Sequence, residues 1–139
     1  MSSYKFNYED KEYLLNEENC SELINDEEKI VSGISIDNIL DMINNAEDID
    51  FDVEYYQEAC PACLAGVKEK QKFFPFLEYH FYIFTKDGKY VISDICKEYK
   101  GLSFNKLSRQ GKVDDSYIVS IIVCKSCNDY IIQIENCIV

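Results

Sequence analysis

Residues 76–95 read Phe76-Leu77-Glu78-Tyr79-His80-Phe81-Tyr82-Ile83-Phe84, Thr85-Lys86-Asp87-Gly88, then Lys89-Tyr90-Val91-Ile92-Ser93-Asp94-Ile95. Two runs rich in aromatic and β-branched residues are joined by Asp-Gly, the dipeptide a type I′ turn needs because both its central residues take positive φ. This predicts a hairpin over Pro75 to Ile95, with its aromatics forming much of the core. Downstream, Tyr117 to Val123 and Tyr130 to Ile134 are two further strand-like runs. They bracket Cys124-Lys125-Ser126-Cys127, so this tetrapeptide sits at a hairpin tip.

Upstream, Phe51, Val53 and Tyr55 alternate with Asp52, Glu54 and Tyr56, the pattern of a half-buried strand leading into Cys60-Pro61-Ala62-Cys63. Leu64 to Lys72 is expected to be helical, with Pro61 tolerated at the first helical position. Ser35 is a cap candidate, and Ile36, Ile39, Leu40 and Ile43 share one helical face before Asn44-Asn45; Asp37, Asp41 and Glu47 then face water. Asn16 to Val31, with Glu17 and Glu18 early and Gly33 beyond, reads as one or two short helices. Tyr4 to Leu15 alternates around a polar turn at Glu9 to Lys11 and reads as a hairpin. The expected architecture is α+β: N-terminal helices packed on an antiparallel sheet of hairpins, with a zinc-ribbon-like Cys₄ site. At 139 residues with five Gly and two Pro, no linker or repeat divides the chain, and one domain over 1–139 is expected.

The pairs Cys60/Cys63 and Cys124/Cys127 supply four thiolates at the spacing a tetrahedral Zn²⁺ prefers. A two-residue spacer lets both sulfurs of one turn reach a single ion, and the long gap between pairs makes the site a tertiary cross-link. Four cysteines close the coordination sphere, which suits a structural ion and leaves no position for an activated water. Zn²⁺ is favoured over iron, although a Cys₄ set also holds iron or, in another geometry, a cluster. Disulfides and redox use are the competing fates of the same thiols. Cys20, Cys96 and Cys137 stand alone and are expected to be small buried apolar residues. Asn128 follows the second pair and tolerates positive φ, whereas Leu64 follows the first, so the two turns are expected to differ.

The CPAC and CKSC turns resemble the knuckles of zinc-ribbon and rubredoxin-like proteins over about a dozen residues. That resemblance implies metal ligation by Cys60, Cys63, Cys124 and Cys127. In length, acidity and the order of its Tyr-rich and CxxC segments, the whole chain is similar to an uncharacterised family of short bacterial proteins, a domain of unknown function. The resemblance implies no activity. CPAC between a strand and an expected helix is also similar to the active turn of thioredoxin-like oxidoreductases, which would make Cys60 the nucleophile and Cys63 the resolving thiol. Those enzymes carry a cis-proline well downstream; here the only other proline, Pro75, lies just beyond Cys63, and the second CxxC is left unexplained.

The net charge of −12 is uneven. Residues 1–60 hold 17 acids against Lys5, Lys11 and Lys29, a net of −14, while residues 61–139 hold 9 acids against 11 bases, a net of +2. Such acidity repels phosphate backbones and argues against a nucleic-acid partner. Lys97 to Lys112, with five bases and one acid, is expected to be a solvated loop or a mate for the acidic half. No run reaches membrane-spanning length and Met1 to Asp10 has no apolar signal region, so a cytoplasmic home with reduced thiols is expected. His80 is the only histidine and is read as structural. Asp26-Glu27-Glu28, Glu47-Asp48 and Asp114-Asp115 lack EF-hand spacing and are read as solvated faces and turns; no phosphate-binding glycine pattern occurs. The resulting expectation is a structural zinc protein, without a catalytic constellation, serving as an interaction or accessory module for a protein partner; thiol–disulfide exchange at CPAC is the alternative.

Overall fold

The computed structural model describes residues 2–46 and 49–137. Glu47 and Asp48, expected to face water, lie outside the described residues. The centre of the fold is β5 (Phe74–Lys86), a strand of 13 residues. One of its edges pairs with β7 (Asp115–Cys124) from Phe76↔Cys124 to Thr85↔Asp115. Its other edge is shared: the first part pairs with β4 (Asp52–Tyr56), the last part with β6 (Lys89–Ser93). The expected turn between β5 and β6 is present, with Asp87 and Gly88 at φ 53° and 79°. Beyond β7 lies β8 (Tyr130–Asn136), antiparallel to it.

The expected α+β arrangement is corrected here. Residues 16–31 do not form helices; Cys20–Ile24 is a strand, β3, lying parallel to β8 and making the sheet mixed. Local polar side chains explain the difference. Asn16 and Asn19 accept each other's backbone N–H, closing a turn where a helix was to begin. Further on, the Asp26 carboxylate accepts the N–H groups of Glu28 and Lys29 and, from across the fold, of Asn136. These contacts and the open edge of β8 outweigh a weak helical pattern. Strands dominate, and N-terminal helices on an antiparallel sheet are not what the chain builds.

One expected helix does form. α1 (Ile36–Asn45) starts at Ser35, whose Oγ accepts the N–H of Asn38 at 3.2 Å, and it buries Ile39, Leu40, Met42 and Ile43. It packs on the N-terminal hairpin of β1 (Ser3–Tyr8) and β2 (Lys11–Asn16), whose turn residues Glu9 and Asp10 take φ 49° and 65°. The hairpin is joined to the sheet through rings: Phe6 stacks on Phe51 at 4.2 Å and on Tyr13 at 5.0 Å, and Phe51 meets Tyr79 at 5.7 Å. Together with Leu77, Phe81, Val119, Ile121 and Ile132 these residues make the main core on one face of the sheet.

The other face is covered only at one end. There Lys97–Tyr99 forms a 3₁₀ turn and α2 (Phe104–Arg109) presents Leu107 to Phe84 and Val113. The basic segment expected to be a solvated loop is therefore a small packed cap, and none of its bases forms an ion pair among the described residues.

Because Leu40 is fully buried between α1 and the hairpin core, Leu40→Ala should lower the unfolding free energy by about 2–5 kcal/mol. Urea denaturation followed by far-UV circular dichroism measures this loss.

Candidate metal centre

The register of β5 with β7 sets Cys124 beside Phe76, and the pairing Tyr56↔Phe74 brings β4 to the same end of the sheet. Cys60 follows β4 by a few residues, so both CxxC turns arrive together. All four Sγ atoms of Cys60, Cys63, Cys124 and Cys127 lie within 4.8 Å of one another. Two approaches cross between the turns: Cys60 to Cys127 at 3.6 Å and Cys63 to Cys124 at 3.7 Å. A tetrahedron with metal–sulfur arms of about 2.3 Å has edges of about 3.8 Å. The four thiols thus stand where a tetrahedral ion could be held, and none is in a disulfide.

Backbone donors surround the sulfurs. The N–H of Ser126 donates to Cys124 Sγ at 3.4 Å, and those of Ala65 and Asp129 donate to the Cys63 and Cys127 sulfurs. Each turn therefore aims N–H groups from two residues downstream at a sulfur, which favours thiolate over thiol. The expected difference between the turns is also corrected: Leu64 takes φ 53°, close to the 67° of Asn128. The two knuckles reverse the chain in the same way, although Leu64 bears a side chain that resists this conformation. Its side chain remains 57% exposed.

Burial pushes the Cys124 and Cys127 thiols up from their ordinary range. At the more exposed Cys63 burial acts in the same direction, but the Ala65 N–H and the neighbouring sulfurs outweigh it and hold the thiol low. Four like charges cannot gather here unaided; a divalent cation reverses that balance by favouring all four thiolates. The helix expected over Leu64 to Lys72 is absent. Leu64, Gly66 and Lys70 all have positive φ, 53°, 89° and 56°, and the segment is a succession of turns. The thioredoxin-like arrangement loses its helix N-terminus, and its first pair lies against the second.

Sequence reasoning did not find the support beneath the second knuckle. Lys11 Nζ donates to the carbonyl oxygens of Lys125 at 2.8 Å and Ser126 at 3.2 Å, and Tyr13 Oη donates to Lys125 O at 3.0 Å. Lys125 reaches back to Glu9 at 3.1 Å, with its ammonium over the Tyr8 ring. Asn19 Nδ2 donates to Asn128 O at 2.9 Å. The one available signal was that Lys11 is among only three bases in the acidic half.

The remaining candidates lie elsewhere. Cys20, Cys96 and Cys137 are outside the cluster and half-buried rather than buried; Cys96 Sγ is 2.9 Å from Ser93 Oγ. His80 stands on the outer sheet face between Glu78, 2.8 Å from its Nε2, and Ser120, 2.8 Å from its Nδ1. This resembles a nucleophile relay in order only. The backbone around Ser120 is committed to ladders with β5 and β8, which leaves no paired N–H groups for an oxyanion. Asp26 serves a turn, as expected, but Asp26, Asp114 and Asp115 also accept hydrogen bonds from Asn136 or Asp87, distant in sequence, which the reading as solvated faces and turns did not include. No helix among the described residues is long and apolar enough to cross a membrane.

Fold and site together define a mixed β-sheet protein in which two knuckles bring four cysteine thiols to one point. The chain belongs to the family described as "Protein of unknown function (DUF3785)", whose model matches residues 4–139. No curated protein matches the chain, and no solved structure does.

Two substitutions probe the knuckle supports. Leu64→Asn should raise stability by about 0.5–1 kcal/mol, since Asn accepts positive φ more readily, and thermal melting reads the gain. Lys11→Met should cost about 1–2 kcal/mol by leaving the Ser126 carbonyl without its donor and the Lys125 carbonyl with Tyr13 alone. The same variant should release its four cluster thiols faster to a thiol reagent.

Proposed function

We propose that Cys60, Cys63, Cys124 and Cys127 hold one structural Zn²⁺, and that the protein is a cytoplasmic interaction or accessory module acting toward a protein partner. The observation that carries the metal reading is the gathering of four sulfurs, none in a disulfide, within 4.8 Å of one another, two of the pairs near a tetrahedral edge length, with backbone N–H groups turned toward them. All-sulfur ligation suits zinc, and four protein ligands leave no open position for catalysis. Reduced thiols in this number fit a reducing compartment. The net charge of −12 disfavours nucleic acid.

The ion would fasten the first knuckle, which lies in the long connection between β4 and β5, to the end of the β7–β8 hairpin. Apparent binding on the order of 10 kcal/mol at neutral pH is comparable to the stability of a whole domain. Acid should therefore expel the ion as protons compete for the sulfurs, and loosen this end of the molecule first.

Elemental analysis of reduced, untagged protein should find about one zinc per chain, with four thiols becoming reactive on chelation. Cys124→Ser should lose the metal and lower the melting temperature sharply. A Cys124→Ser protein with full zinc content and unchanged melting overturns the reading. Metal-free protein with one fast-reacting thiol would instead support thiol–disulfide exchange.

A further inference from the structure

A groove of about 370 Å³ lies between the first knuckle and the uncapped end of the outer sheet face. Its apolar lining includes Tyr56, Phe76, Ile122 and Ile131. The rings of Tyr56 and Phe76 stand at 87° with centroids 5.3 Å apart, forming a corner of two aromatic walls. Carboxylates also line it: Glu22 and Glu58 are exposed and Asp129 is half-buried. No Lys, Arg or His lines the groove. Among the described residues none of these three carboxylates forms an ion pair; Asp129 accepts only the Ser21 hydroxyl, at 3.1 Å.

A second observation lies alongside. Glu78 is two residues from Phe76 on the same face of β5 and cross-strand from Ile122. It is only 7% exposed, and its Oε1 has no donor although Oε2 faces His80. A buried carboxylate oxygen without a donor is costly, and on this face it leaves Glu78 Oε1 unsatisfied although Oε2 has His80.

An apolar floor rejects small hydrated ions, while unpaired carboxylates reject anions and hydrocarbons. What satisfies both is a cationic head on an alkyl stem, able to lie in an aromatic corner. The face continues past the groove to half-buried Ile118 and exposed Tyr82, so there is room for the neighbours of such a side chain along an extended segment. We propose that this groove docks an arginine- or lysine-bearing, otherwise apolar segment of a partner protein. The proposal supplies the partner chemistry for the interaction reading above and rests on it; Cys60 belongs to the groove lining, so the metal would also hold the groove's wall.

The test uses the full chain, ¹⁵N-labelled and assayed for zinc, titrated with a capped peptide of alternating leucine and arginine. Saturable shifts are expected at Tyr56, Phe76, Ile122 and Ile131. Replacing the peptide's arginines by glutamate, or its leucines by serine, should weaken binding about tenfold or more, as should combining Glu22→Gln with Glu58→Gln in the protein. Shifts confined to other surfaces, equal binding of the serine peptide, or equally tight binding of free arginine amide would each overturn segment docking. Zinc-loaded protein that fails to bind overturns the groove and leaves the metal reading standing. Metal-free protein that binds as expected keeps the groove and removes the metal reading, and metal-free protein that fails to bind removes both.

Discussion

The antiparallel ladder between β5 and β7 is the constraint on which the remaining structure depends. It runs from Phe76↔Cys124 to Thr85↔Asp115 without a register shift. Side chains alternate faces with a period of two, so a slip of one residue would turn Leu77, Phe81, Val119 and Ile121 out of the core and put Glu78 and His80 into it. The same register decides where Cys124 ends. Because β5 is long enough to carry β4 beside its first residues, the first knuckle is delivered to the position of the second. The meeting of the four thiols is thus a consequence of strand length and register before it is a consequence of cysteine chemistry.

The knuckles are held unequally. Beneath the second lies the N-terminal hairpin, with Lys11 and Tyr13 donating to the carbonyls of Lys125 and Ser126. Free carbonyls at a tight turn need donors, and a lysine in an acidic half of the chain is well placed to supply them. The first knuckle and the turns after it have exposed residues through much of 61–73 and fewer long-range hydrogen bonds. Cross-linking through sulfur has the most to contribute where the polypeptide contributes least.

The two sheet faces show the same asymmetry on a larger scale. One is sealed by α1 and the β1–β2 hairpin through the Phe6–Phe51–Tyr79 ring chain. The other is capped by α2 near Phe84 and left open toward the knuckle, where polar Glu78, His80 and Ser120 share space with Tyr82 and Ile122. Antiparallel strands commonly leave one face to solvent. Here that face is bordered by carboxylates and lacks compensating bases around its apolar groove, a combination that gives it a chemical preference.

By itself the sequence determined the two Asp/Glu-turned hairpins, α1 with its Ser35 cap, the strands flanking Cys124 to Cys127, and the four sulfurs as a set. Each of these rests on local signals: alternation, a 3.6-residue stripe, a turn dipeptide, a two-residue spacer. Tertiary structure decided the rest. Residues 20–24 are a strand because β8 offers them an unpaired edge, and 64–72 are turns because the knuckle requires left-handed backbone at Leu64, a demand its side chain does not advertise. Lys11 and Asn19 support the second knuckle from more than a hundred residues away in the chain. Partners at that separation leave no periodic trace, because the free energy that selects them exists only once the ladder has brought them together.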